Sequence, residues 1–135
     1  MSASLAIDIG GSHGRAVLSV SDGRSERMTE LDSFSTEPVM LGGKLCWDLD
    51  AMLKGIRNAL EQAAGLVEKL DSVAVDTMGL AFGLLDKDGS LLCPPVYTRT
   101  AQDERIKNDI IAAFGRERLY SINGLEQQKL NSLYY

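Results

Sequence analysis

The feature that most constrains this chain is a short apolar run near its start that ends in a carboxylate and continues into glycines. Within residues 4–15, apolar side chains occupy every second position at Leu5, Ile7 and Ile9, which is the spacing of a half-buried β-strand. Asp8 falls on the other face of that strand, near its end, so we expect it at the edge of a sheet rather than in a core. The sequence therefore predicts a strand that presents a carboxylate beside a glycine-rich turn.

The turn has the composition of a phosphate-binding loop. Its residues without a Cβ atom are Gly10, Gly11 and Gly14. Their small size permits positive φ and lets backbone N–H groups approach an anion, while Ser12 adds a hydroxyl donor. These residues leave one alternative open, an ordinary hairpin turn beside a solvated Asp8.

The sequence after the turn distinguishes it from the phosphate loops that precede a helix. Dinucleotide-binding and P-loop motifs continue into a helix whose N-terminus holds the phosphate. Here residues 15–20 are largely apolar and β-branched, and residues 21–23 form a turn signal before a further run over residues 25–34. We therefore predict that the loop is the bend of a β-hairpin.

Composition excludes several classes of protein. A chain of 135 residues forms one domain at most, and 44% apolar residues are enough for a core. The net charge of −5 argues against a nucleic-acid partner, because phosphate backbones are bound by clustered Lys and Arg. The sequence has neither a membrane-spanning run nor a signal segment, so we expect no membrane partner and a cytoplasmic location. Cys46 and Cys93 are too few for a disulfide framework or a metal cluster, and we expect buried thiols.

One amphipathic helix is predicted after a loop over residues 36–43. Asp48 is its expected N-cap, and Trp47 and Met52 have the spacing of a hydrophobic staple, which explains Trp47 without a ligand. The apolar residues at helical spacing are Leu49, Met52, Leu53, Ile56, Leu60, Ala63, Ala64 and Val67. This stripe is expected to cover one face of the sheet.

A second apolar run, over residues 73–77, also ends beside a carboxylate, at Asp76. A strand that follows a crossover helix usually returns parallel to its sheet, with a right-handed connection. If the two strands are neighbours, Asp8 and Asp76 project from the same edge into one cleft, where open α/β sheets bind their ligands. The alternative is that Asp76 caps the turn that follows it.

The remaining sequence predicts scaffold. Residues 80–85 and 90–92 flank a turn over residues 86–89, which favours a hairpin. An extended link over residues 94–100 leads to a second helix over residues 103–114, which Gly115 ends. The tail over residues 119–135 ends in apolar and aromatic residues, which is unusual for an exposed terminus.

Four segments, taken in order, resemble one protein family. They are Asp8-Ile-Gly-Gly-Ser-His-Gly-Arg15, Cys46-Trp-Asp-Leu49, Asp71-Ser-Val-Ala-Val-Asp-Thr-Met-Gly79, and Gly124-Leu-Glu-Gln with Asn131-Ser-Leu-Tyr134. Together they resemble the N-terminal part of the FGGY carbohydrate kinases, and most of all the rhamnulokinases. The resemblance implies that residues 1–135 are the first part of an α/β, RNase H-like lobe of the actin-like ATPase type, without the second lobe. It implies a mixed sheet with three N-terminal antiparallel strands, a crossover helix, a parallel fourth strand, and a further hairpin and helix.

The resemblance also implies a reaction, the transfer of the γ-phosphoryl group of ATP to a hydroxyl of a ketose. By that resemblance, the residues that contact the ATP phosphates are Gly11, Ser12, His13, Gly14 and Arg15. Asp8 would order Mg²⁺ through water, and Asp76, Thr77 and Gly79 would face the sugar. The catalytic base of this family is expected beyond residue 135, so the chain alone is expected to be inactive.

The sequence departs from the rhamnulokinase pattern at two places. Residues 77–82 read Thr-Met-Gly-Leu-Ala-Phe where rhamnulokinases resemble Thr-Trp-Gly-Val-Asp-Phe, and residues 97–100 match the expected Tyr-Arg-Asp pattern only in part, at Tyr97 and Arg99. These departures leave the identity of the sugar open. Two further alternatives stay open. One is a noncatalytic remnant, either regulatory or self-associating as a homodimer through a sheet edge or the apolar tail. The other is a glucose-type kinase, which the segments at Trp47 and Asp76 fit poorly.

Overall fold

The computed structural model describes residues 1–97, 104–128 and 131–134. The strands are β1 (Ser2–Ile9), β2 (His13–Ser21), β3 (Glu26–Glu30), β4 (Phe34–Ser35), β5 (Val39–Leu41), β6 (Lys44–Cys46) and β7 (Ser72–Thr77). The helices are α1 (Leu49–Leu66), α2 (Glu104–Phe114), α3 (Arg116–Asn123) and a 3₁₀ turn at Ser132–Tyr134. The chain divides into two units, Met1–Gly79 and Leu80–Tyr135, each described here by itself.

The first unit contains a mixed sheet in the order β3-β2-β1-β7, with β4 also paired to β2. Strands β1, β2 and β3 are antiparallel neighbours, and β7 lies parallel to β1 after α1. The predicted arrangement of three antiparallel strands, a crossover helix and a parallel fourth strand is therefore confirmed. The antiparallel β1–β2 pair also confirms that the glycine loop is the bend of a hairpin.

The core of this unit lies between the sheet and α1. The alternation predicted for β1 is present, because Leu5, Ile7 and Ile9 are buried whereas Ala6 is exposed and Asp8 is half-buried. On β2 the buried positions alternate in the same way. The two strands thus place their apolar side chains on the face that α1 covers.

Helix α1 begins as the sequence predicts, but the face that it buries agrees only in part with the predicted stripe. The Asp48 carboxylate accepts a hydrogen bond from the Ala51 N–H at 2.9 Å, which is the expected N-cap. The buried residues of the helix are Met52, Gly55, Ala59 and Ala63. The predicted stripe is wrong in part, because Leu49 and Leu53 are 38% and 48% exposed. Small residues face the sheet because they allow the helix backbone to approach closely the side chains beneath it.

Two local predictions in this unit are corrected. The predicted loop over residues 36–43 contains the β5–β6 hairpin, whose turn has Gly42 and Gly43 at φ 57° and 78°. The single run expected over residues 25–34 is divided between β3 and the start of β4, which both pair with β2. Strands of two or three residues are too short to produce a readable alternation.

The second unit is less regular than predicted. The hairpin expected over residues 80–92 is a single bridge between Leu85 and Leu91, closed by the Asp86 N–H on the Ser90 carbonyl at 2.8 Å. Helix α2 is confirmed from Glu104 onward, and Gly115 separates it from α3, where the sequence analysis assigned no helix.

The environments of Cys93 and Tyr134 were not predicted from the sequence. Cys93 is exposed, which corrects the expectation of two buried thiols, whereas Cys46 is buried. The Tyr134 hydroxyl donates to the Gln127 side-chain oxygen, and both residues are buried. Across the described residues, none of the helices combines the length and the apolar character needed to cross a membrane.

Candidate functional site

The site is built around a row of three charged residues at the end of β1. In the strand register, Asp8 lies opposite Arg15 of β2 on one side and opposite Asp76 of β7 on the other. Paired residues of neighbouring strands share a face of the sheet, so all three lie on the face away from α1. The two carboxylates thus stand at the carboxyl ends of adjacent parallel strands, as predicted.

Arg15 is hydrogen-bonded to Asp8. Its Nε donates to the Asp8 carboxylate at 3.1 Å, and the two side chains are 56% and 48% exposed. An ion pair this exposed contributes only about 0.2–1 kcal/mol, because water screens it. The carboxylate is therefore oriented by Arg15 but remains accessible to a ligand.

The loop between β1 and β2 presents backbone donors at its tip. The Gly10 N–H donates to the His13 carbonyl at 3.1 Å, which leaves Gly11 and Ser12 as the tip of the hairpin. Among the described residues, the N–H groups of Gly11 and Ser12 have no hydrogen-bond partner. The Ser12 hydroxyl lies 3.2 Å from the His13 ring nitrogen Nδ1, on an exposed surface. Free N–H groups beside a hydroxyl are donors that attract an anion.

Thr36 donates hydrogen bonds to two carbonyl groups of the same loop. Its hydroxyl donates to the Gly10 carbonyl at 2.8 Å, and its N–H donates to the Ser12 carbonyl at 3.4 Å. Thr36 has no exposed surface. Sequence reasoning missed Thr36 because it lies in a segment assigned to a loop. The residues around it carry no pattern that would predict a hydrogen bond to positions 10 and 12.

The prediction that the glycines of the loop adopt positive φ is wrong. None of Gly10, Gly11 and Gly14 has a positive φ. A Cβ atom at Gly10 would lie 2.8 Å from the His13 carbonyl oxygen, and one at Gly14 would overlap the ring of Phe34. Close approach, and not left-handed geometry, therefore requires glycine at positions 10 and 14.

The residues expected to face a sugar follow at the end of β7. The Thr77 hydroxyl donates to the Ile9 carbonyl at 3.4 Å, which connects the ends of β7 and β1. Gly79 lies in the turn after β7, where an added Cβ would meet no atom within 4 Å. Arg99, the remaining residue singled out by the sequence, lies outside the described residues.

The donor set fits a magnesium ion that is held mainly through water. Asp8 and Asp76 offer carboxylate oxygens and Ser12 a hydroxyl, which are the hard ligands that Mg²⁺ prefers. Over the described residues there is no cluster of three His, Cys, Asp or Glu side chains that could hold a metal. Water and phosphate oxygens would therefore complete most of the coordination shell.

Two carboxyl groups with a shifted pKa lie outside this site. Hydrogen bonds from Ser25 and Arg24 lower the pKa of Asp22 in the β2–β3 turn. The Ala3 N–H, which donates to Asp71 at 2.9 Å, and the Lys69 ammonium lower the pKa of that carboxyl. Ala3 lies near the start of β1, whereas Asp8 lies near its end, so this carboxyl stabilises the fold rather than the site.

Known proteins with similar sequences point to one family. No protein-family model matches the chain. The rhamnulokinase of Halalkalibacterium halodurans is 31% identical over 134 residues, which cover 99% of this chain and 28% of that protein. This match supports the interpretation of the chain as an N-terminal fragment of an FGGY-type carbohydrate kinase. It spans little more than a quarter of the length of that relative.

Solved structures show the fold of this chain. A gluconate kinase from Lactobacillus acidophilus matches with a TM-score of 0.70 at 15% identity, covering 96% of this chain and 26% of that one. Plasmodium falciparum glycerol kinase, crystallised with ADP, matches with a TM-score of 0.68 at 13% identity, covering 98% and 27%. The mixed α/β architecture is thus that of the actin-like ATPase fold.

Proposed function

We propose that this chain forms the nucleotide-phosphate side of the active site in an ATP-dependent carbohydrate kinase. The kinase transfers the γ-phosphoryl group of ATP to a hydroxyl of a ketose similar to rhamnulose. One observation carries the proposal: Asp8 and Asp76 are register partners at the ends of parallel strands, beside a hairpin tip with free N–H groups. The relatives named rhamnulokinase support the same reaction class.

The residues of the loop bind and orient the triphosphate. The N–H groups of Gly11 and Ser12, the Ser12 hydroxyl, His13, Gly14 and the Arg15 guanidinium surround the phosphate oxygens. Phosphoryl transfer requires positioning and charge neutralisation more than covalent help, so donors fixed in a rigid hairpin are well suited to it. When bound, Mg²⁺ supplies further neutralisation of the phosphate charge, and Asp8 holds its water shell.

The sugar binds beside the end of β7. The Asp76 carboxylate accepts hydrogen bonds from sugar hydroxyls, and the Thr77 hydroxyl can accept or donate them. Gly79 leaves space for the sugar to approach. The general base that accepts the hydroxyl proton is expected outside residues 1–135. The chain by itself is therefore expected to bind nucleotide weakly and not to turn over, since a complete site also needs its opposite wall.

A coupled assay of ADP release tests the proposal. The intact gene product is incubated with MgATP and, in turn, with a panel of ketoses and polyols that includes rhamnulose. We expect sugar-dependent ADP release well above the rate without sugar, and with rhamnulose or a related ketose as the best substrate. ADP release that no sugar increases would contradict the proposal.

A second candidate function, self-association through a sheet edge, is favoured by the exposure of β7. In the described part of the chain, β7 pairs with β1 on one side only, and Val73 and Val75 are 48% and 54% exposed. An uncovered edge strand is a template for pairing with another chain. The apolar tail contributes less than expected, because Tyr134 is buried. Light scattering decides this case: a dimer supports a self-associating module, whereas a monomer at high concentration eliminates it.

A further inference from the structure

The environment of Thr36 suggests a role that the proposed reaction does not yet include. Thr36 is the only buried polar residue of the described first unit that binds the loop at the end of β1. It follows β4, whose residues Phe34 and Ser35 pair with Gly14 and His13 of the loop's second strand. The segment over residues 34–36 thus holds the loop in place through strand pairing and hydrogen bonds.

Thr36 determines which backbone groups of the loop remain available. Its hydroxyl occupies the Gly10 carbonyl at 2.8 Å, and its N–H occupies the Ser12 carbonyl at 3.4 Å. The N–H groups of Gly11 and Ser12 stay free within the described structure. A carbonyl oxygen that turned toward the tip would repel a phosphate, whereas an N–H attracts it. The contacts of Thr36 therefore make the tip of the loop selective for anions.

We infer that Thr36 is a positioning residue for the triphosphate, acting through the Gly10 and Ser12 carbonyls and not by touching the nucleotide. The hydroxyl is the part of the side chain that matters, because only it reaches the Gly10 carbonyl. This inference rests on the proposed function, since it assumes that the loop binds phosphate. It deepens that function by naming the residue that orients the loop's donors.

Two substitutions at the same position separate this role from simple packing. Thr36→Val keeps the shape of the side chain and removes the hydroxyl, which leaves the partly buried Gly10 carbonyl without its donor. Thr36→Ser keeps the hydroxyl and removes a buried methyl group. Both variants are expected to lose some thermal stability, but only the valine variant is expected to lose nucleotide affinity.

Steady-state kinetics of the intact gene product test the inference. For Thr36→Val we expect the KM for MgATP to rise about two- to twelvefold, the ratio that one net hydrogen bond supports, with kcat and the sugar KM within about twofold. For Thr36→Ser we expect the KM for MgATP within about twofold of the wild type. Equal rises in the two variants, or an unchanged KM in the valine variant, would overturn the inference.

A measurement without activity keeps the inference testable if the kinase assay fails. Amide hydrogen exchange at Gly10, whose N–H donates to the His13 carbonyl, reports whether the loop keeps its shape. We expect faster exchange at Gly10 in Thr36→Val than in Thr36→Ser, with the Leu5 and Ile7 amides of β1 unchanged. Equal exchange in both variants overturns the positioning role. If the valine variant does not fold, Thr36→Ala compared with Thr36→Ser gives the same contrast.

An NMR titration of the wild type with MgATP tests the proposed function separately. If MgATP changes no amide chemical shift at Gly11 and Ser12, that result contradicts the proposed function and not the role of Thr36.

Discussion

Asp76 lies directly opposite Asp8 across the parallel β1–β7 pair, so two carboxylates share one edge and one face of the sheet. Carboxylates in such proximity repel each other, and a nearby positive charge offsets that repulsion. Arg15, on the other side of Asp8, supplies one such charge through its 3.1 Å ion pair. The proposed metal and nucleotide would bring the rest.

Replacement of Asp8 by Asn should abolish most of the catalysis and leave sugar binding intact. The amide keeps the shape of the side chain but loses the charge that orders the magnesium shell, so we expect kcat to fall roughly 10²-fold or more. The sugar KM should stay within about twofold. Asp76→Asn, one strand away, is the matched comparison, and there we expect the sugar KM to rise. Turnover unchanged in Asp8→Asn would remove the metal role of this residue.

Replacement of Arg15 by Gln should weaken nucleotide binding without unfolding the protein. Because its pair with Asp8 is exposed, we expect the free energy of unfolding to change by less than about 1 kcal/mol. The KM for MgATP should rise roughly tenfold or more, since a charge-assisted hydrogen bond to phosphate is lost. Arg24→Gln, in the β2–β3 turn, serves as the control and should leave the KM unchanged. A large loss of stability with a normal KM for MgATP would show instead that Arg15 stabilises the fold and does not bind the nucleotide.

Two glycines of α1 should respond to alanine with opposite signs. A Cβ at Gly55 would overlap the ring of Phe34, whereas a Cβ at Gly65 would meet no atom within 4 Å. We expect Gly55→Ala to destabilise the fold by about 1–3 kcal/mol through overpacking. Gly65→Ala should stabilise it by about 0.5–1 kcal/mol, because alanine favours the helix. Denaturant unfolding measures both, and equal effects at the two positions would show that Phe34 does not fill this space.

The Asp71 carboxylate should make stability depend on acid. The Ala3 N–H and the Lys69 ammonium lower its pKa, so the folded state binds a proton less readily than the unfolded state. Its stabilisation is then full at neutral pH and is lost as the pH falls below about 4 toward the lowered pKa. Asp71→Asn should therefore unfold at a lower temperature than the wild type at pH 7, and the two curves should converge in acid.

The control for this titration is Asp88→Asn. The Asp88 carboxylate pairs with the adjacent Lys87 on an exposed turn, at 2.8 Å. We expect no change in the thermal midpoint at any pH for this variant. A difference between Asp71→Asn and the wild type that stays constant from neutral to acid pH would mean that the charge of Asp71 is not what stabilises the fold.

Valine at position 79 should impair use of the sugar while leaving the fold unchanged. Because an added Cβ at Gly79 meets no atom of the described structure within 4 Å, the substitution should not disturb packing. The bulk would instead occupy the space proposed for the sugar, and we expect the sugar KM to rise with the KM for MgATP unaffected. An unaltered sugar KM, measured in the same coupled assay, would exclude Gly79 from the site.

The elements that short-range patterns specify were predicted correctly. The alternation in β1 follows from the two-residue repeat of a strand, and the Asp48 cap precedes α1 because a carboxylate satisfies a free helical N–H. The parallel return of β7 follows from the handedness of crossover connections. These rules act over a few residues or one connection, so they are visible in a sequence. They also sufficed to bring Asp8 and Asp76 to one edge.

The contacts that depend on distant parts of the chain were missed. The hydrogen bond from Thr36 to Gly10 spans 26 positions, and the ring of Phe34 lies against Gly55 on the buried face of α1. Positive φ was predicted for the glycines of the loop, whereas steric proximity to His13 and Phe34 is what requires glycine at positions 10 and 14.

Local residue patterns were thus enough to specify strands β1, β2 and β7, the crossover helix and the charged edge, since hydrophobic periodicity and capping are short-range properties. Tertiary packing alone decided how the loop is held, which carbonyls Thr36 occupies and which helix face is buried. Those features depend on steric fit and hydrogen bonds between segments that meet only after the chain has folded.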